Sequence, residues 1–76
     1  MGGSGGMTFV KGVITYWGMD EYGVPVYSIQ SDTTPQTYLL KGDYSFYAGR
    51  DTNVSGPNRF ENGSYYIDVM TISLAA

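Results

Sequence analysis

Thr8-Phe9-Val10-Lys11-Gly12-Val13-Ile14-Thr15-Tyr16-Trp17 is the stretch on which the fold turns. Its apolar residues do not recur at helical spacing; they alternate with a period of two. Phe9, Val13 and Trp17 fall on one face with Lys11 and Thr15, while Val10, Ile14 and Tyr16 fall on the other with Gly12. Both faces carry apolar groups. The pattern predicts a long strand, partly buried on each side and bent or bulged at Gly12.

Working outward, Gly18 to Gly23 reads as a hairpin loop, followed by a second strand from Val24 to Gln30. Pro25 cannot donate to a ladder and suits the strand's start. Ser31 to Gln36, with Asp32 and Pro35, reads as a turn. Strands are expected at Thr37 to Lys41 and Tyr44 to Ala48, joined by Gly42-Asp43 in a type II′ hairpin. Gly49 to Gly63 reads as a long polar loop anchored by Phe60. The last strand runs from Ser64 to Leu74, where Ile67 and Val69 hold one phase and Met70, Ile72 and Leu74 the other. That change of phase predicts a second bulge. Five strands with bent first and last members fit an all-β fold, a small antiparallel barrel of OB-like or SH3-like type; a β-sandwich is the competitor.

The chain has 76 residues. Its first six, Met1-Gly2-Gly3-Ser4-Gly5-Gly6, read as a flexible leader, with residues 7–76 as a single small β domain. There is no Cys and no His, which removes thiol nucleophiles, imidazole bases, Cys/His zinc sites and disulfide staples. The core must draw on 8 Tyr, 3 Phe and 1 Trp, and a partner surface is the other way for so small a domain to bury area. Charged residues are 14% of the chain, against about 25% in an average domain. Such composition is common in extracellular modules and virion components. The net charge is −3, with Lys11, Lys41, Arg50 and Arg59 scattered, which disfavours binding to phosphate backbones. No apolar run is long enough to span a membrane.

Exposed aromatic residues and the long loop supply the expected contact residues: Trp17, Tyr22, Tyr27 and Tyr47, with Arg50, Arg59 and Phe60. Within the loop, Asp51, Asn53 and Ser55 alternate ahead of Gly56, like the first half of an EF-hand loop, so Ca²⁺ is the one metal to consider. The ligand at that motif's twelfth position would be Asn62, and the same residues also make an ordinary loop. No other cofactor is expected. Nor is catalysis, because Asp20, Glu21, Asp51 and Glu61 are loop carboxylates with no cleft between them. Asp68 sits inside an apolar strand, facing water or paired with Lys11 or Arg59.

Tyr22-Gly23-Val24-Pro25-Val26-Tyr27-Ser28-Ile29 and Gly63-Ser64-Tyr65-Tyr66-Ile67-Asp68-Val69-Met70 together resemble the single-stranded-DNA-binding proteins of filamentous phages. The resemblance covers these two short stretches. It implies a dimeric OB fold with a tyrosine-bearing, glycine-flanked hairpin that binds single strands. Asp20 and Glu21 stand where that family carries basic residues. The leading expectation is therefore a non-enzymatic binding or assembly module making protein–protein contacts or self-associating. Single-stranded nucleic-acid binding and an engineered or selected domain without natural activity are the alternatives.

Overall fold

The computed structural model describes residues 6–75, so the expected leader lies outside the described residues except for Gly6. The elements are β1 (Met7–Met19), β2 (Pro25–Ser31), β3 (Thr37–Lys41), a 3₁₀ turn (Ser45–Tyr47), β4 (Asp51–Glu61), β5 (Ser64–Ile67) and β6 (Thr71–Leu74). All six strands belong to one sheet, ordered β1-β2-β3-β5-β4-β6, and β1 also pairs with β4. That extra pairing closes β1, β2, β3, β5 and β4 into a ring of hydrogen bonds. Among the described residues every strand-to-strand pairing is antiparallel except β3 with β5, a single parallel bridge between Leu39 and Tyr66; a lone parallel bridge outside the strands joins Ile14 to Ala48. The order is OB-like; a sandwich would need a second sheet.

The period of two in β1 is as the sequence predicts, but only one face is buried; the Phe9, Val13 and Trp17 face, expected to be partly buried too, is exposed. Val10, Gly12 and Ile14 are buried, while Phe9, Lys11, Val13 and Thr15 are exposed. Inside the ring, Val10, Ile14, Tyr27, Ile29, Leu40, Val54 and Ile67 form the core, with Tyr38, Tyr44, Tyr47, Val69 and Ile72 packed against it. Gly12 is where β1 passes from pairing with β4 to pairing with β2. The bulge itself lies further on, between Tyr16 and Gly18.

Two expectations fail. Tyr44 to Ala48 is not a strand. Gly42 ends β3 at a φ of 136° and donates its N–H to the Pro25 carbonyl at 2.8 Å. Asp43 then accepts from the Ser45 N–H at 3.0 Å, and the chain turns into the 3₁₀ segment. No hairpin forms because the free edge of β3 is taken by β5.

Gly49 to Gly63 is not a loop either, since most of it is β4, the strand with the most partners. It pairs with β1 along one side and with β5 and β6 along the other. Its inward positions are Thr52, Val54 and Gly56, all buried but only one of them a hydrocarbon, so the run reads as polar. Ladder hydrogen bonds on both edges override the weak local propensity. Gly56 is required by packing: a Cβ there would lie 2.1 Å from the Asp68 carbonyl oxygen. Pro57 stands opposite Met7, at the end of the β1 ladder. The predicted phase change in the last strand is real. The chain breaks between β5 and β6, with the Asp68 N–H bonded to the Pro57 carbonyl and the Met70 N–H to that of Ser55.

Candidate binding faces

Trp17 owes its position to the β1 bulge. Tyr16 pairs with Tyr27 and Gly18 with Val26, which leaves Trp17 as the extra residue. A bulge re-aims the side chain it carries. The indole is 64% exposed and shares a cleft with Leu39, Pro35, Gln36, Thr37 and Tyr65. Beneath this face lie Val26 and Leu39. Both have the phase opposite to Tyr27, Ile29 and Leu40, so they point away from the ring, yet they are only 4% and 6% exposed. The outer side of β2 and β3 therefore carries a small buried apolar pair among the polar residues Ser28, Gln30, Thr37 and Lys41. Sequence reasoning passed over both residues. The signal was present in Pro25-Val26-Tyr27 and Tyr38-Leu39-Leu40, which are apolar in both phases, the mark of a strand covered on two faces.

Tyr66 extends the face onto β5. Its ring lies 4.6 Å from the Arg59 guanidinium and 5.5 Å from the Lys41 ammonium. Neither cation is free. Arg59 Nε donates to both carboxylate oxygens of Asp68, at 3.0 and 3.2 Å, and the guanidinium also pairs with Glu61. These carboxylates, Asp68 above all, hold the Arg59 pKa above its ordinary value. Lys41 lies 3.7 Å from Asp20. Lys11 bridges Asp32, at 3.0 Å, and Asp51. Its pKa is raised, chiefly by the hydrogen bond to Asp51. Among the described residues only Arg50 lacks a carboxylate partner; it lies 5.0 Å from the Phe46 ring.

The predicted contact residues are dispersed. Tyr22 is 80% exposed at the tip of the β1–β2 loop. That loop is held by Asp20, whose carboxylate accepts from the N–H groups of Tyr22 (2.8 Å) and Val24 (2.9 Å). Tyr27 is a correction: its ring is in the core, packed edge-on against Tyr16 and Tyr44. Tyr47 is half-buried on the core, and with Arg50 it belongs to the 3₁₀ segment and its exit. Phe60 is not an anchor; it is exposed near the end of β4 and packs on Tyr65. Asp51, Asn53 and Ser55 do not line a loop. They lie on β4, where Lys11 binds Asp51 and the Ser55 hydroxyl is bonded to Thr71. The EF-hand-like reading fails because a strand cannot wrap a cation, and an ammonium already faces the first carboxylate.

A second candidate is an edge. Among the described residues, β6 pairs with β4 alone. Ala75 donates to the Asp51 carbonyl at 2.9 Å, so antiparallel alternation turns the N–H groups of Leu74 and Ile72 away from β4. The strand Thr71-Ile72-Ser73-Leu74 carries no charge and no proline, and Met70 and Leu74 are exposed beside it. No protein-family model, curated protein or solved structure matches this chain.

Proposed function

We propose that this protein is a non-enzymatic assembly module that makes protein–protein contacts, first of all with itself, through the edge of β6. The observation that carries the reading is the unguarded edge. Natural edges are blunted by shortness, Lys, Pro or inward charges, and of these Thr71-Ile72-Ser73-Leu74 has only shortness. An antiparallel edge can pair with its own copy around a twofold axis, so one surface serves both partners. The carboxylates lend no support to catalysis. Asp20 and Asp43 are tied to their own turns, and Asp32, Asp51, Glu61 and Asp68 to Lys11 or Arg59.

Light scattering across a concentration series tests the reading. A dimer should grow with concentration, and Leu74→Pro should abolish it while leaving the circular dichroism native, because the lost N–H is not part of the β4 ladder. A strict monomer at millimolar concentration would sink the proposal. Single-stranded nucleic-acid binding is the second reading, favoured by the cations flanking Tyr66. It is weaker because both cations are already paired with carboxylates.

A further inference from the structure

Trp17 lines two open recesses of about 460 Å³ each. Gln36, Thr37, Ser64 and Tyr65 help line one recess, and Thr15, Ser28, Gln30 and again Thr37 the other. Hydroxyl and carboxamide groups both donate and accept hydrogen bonds. No charged residue lines the first recess. The second has one, Asp32, and Lys11 neutralises it at 3.0 Å.

We propose that this face binds a short, uncharged oligosaccharide, with the Trp17 indole as its stacking platform. This site is separate from the β6 edge and does not depend on assembly. Three features select the ligand class. An exposed indole presents a flat, electron-rich face, which attracts the polarised C–H bonds on one side of a pyranose ring. Hydroxyl and amide side chains on both flanks match the hydroxyl rim of the same ring. Among the described residues no cationic side chain lines either recess, which denies a phosphate or carboxylate its counter-charge, and on the neighbouring strands Lys41 is held by Asp20 and Arg59 by Asp68. A purely hydrocarbon ligand would leave the polar flanks without partners. Each recess has the volume of an ordinary small-molecule site. Two adjoining recesses that share Trp17 and Thr37 favour a chain of sugars over a single one.

Bulge geometry also explains why the platform is in place before any ligand arrives. As the extra residue between Tyr16 and Gly18, Trp17 is displaced from the regular alternation by the backbone itself. Leu39, in the same recess, and Val26, paired with the neighbouring Gly18, are already buried, so binding need not first order them.

Trp17 is the only tryptophan, so intrinsic fluorescence reports on this site alone. The full chain is titrated separately with cello-, malto- and chito-oligosaccharides, and amide shifts are followed in parallel. At least one series should give a saturable change in emission, with shifts confined to Thr15, Ser28, Gln36, Thr37 and Ser64. Trp17→Ala should weaken binding about tenfold or more, and Trp17→Phe should restore most of it. Should Trp17→Ala fail to fold, Thr37→Ala is read instead and should weaken binding without moving the emission of the free protein. The proposal is overturned by a flat response to all three series, by shifts that map away from Trp17, or by an oligothymidylate or a uronic-acid oligomer binding there when neutral sugars do not.

Discussion

The α-carbon of Gly12 lies so close to the carbonyl of Gln30 that a β-carbon added to it would come within 1.8 Å of the oxygen. The contact sits where β1 leaves β4 for β2, so it governs closure of the ring. The obstacle is backbone, not a side-chain tip that can swing aside. Gly12→Ala should therefore cost at least about 2 kcal/mol, read as a fall in the urea midpoint. Gly49→Ala is the control. It has open space around it and only an unfavourable φ of 77°, so about 1 kcal/mol is expected.

Acid should loosen the two turns that carboxylates hold. The N–H of Val24, followed by that of Tyr22, keeps the Asp20 carboxyl below its usual range, and the Ser45 hydroxyl and N–H do the same for Asp43. A depressed carboxyl stabilises the fold fully above its unfolded value, about pH 4, and that contribution disappears as pH falls through the folded value. The thermal midpoint should be insensitive to these groups from neutrality to about pH 5 and decline below about pH 4. Asp20→Ala and Asp43→Ala should each flatten the decline. If the acid limb is unchanged in both, the turns are not its source.

Calcium should leave Asp51, Asn53 and Ser55 undisturbed. Lys11 faces Asp51, and Ser55 is committed to Thr71. Adding millimolar CaCl₂ should produce no selective amide shift along β4. Because Lys11 and Asp32 are solvent-exposed and Asp51 is half-buried, Lys11→Met should alter the salt dependence of unfolding more than its midpoint at high salt.

The β4–β5 hairpin turns on Asn62-Gly63, both with positive φ, at 52° and 80°. This is a type I′ pair. Asn62→Ala should cost about 1 kcal/mol in urea unfolding, and Asn62→Gly only a few tenths.

That dipeptide also marks where the sequence was legible and where it was not. The period of two in β1, the Asp20 loop, the Ser31 to Gln36 turn and the phase change after Val69 were all readable, because each is a local pattern with a local cause. β4 was not. Thr52, Gly56 and Pro57 look like loop residues until both edges of the strand are paired, and those partners lie far away in the chain. Asn62-Gly63 is a strong hairpin signal, and weighing it would have turned the preceding residues into a strand. The contact residues followed the same rule. Trp17 and Tyr22 were recognisable as surface aromatics, whereas the burial of Tyr27 depends on Tyr16 and Tyr44 closing over it, and the choice of Arg59 over Lys11 or water as the partner of Asp68 depends on a register no local pattern states.

The many partners of β4 have a kinetic consequence. Its only neighbour close in sequence is β5, across the Asn62-Gly63 turn, while β1 lies near the opposite end of the chain. Folding should therefore begin with the hairpin from Arg59 to Tyr66 and wait on a long loop closure before β1 docks. Substitutions at Asn62 should slow refolding. Those at Val10, on the late-arriving strand, should mainly hasten unfolding.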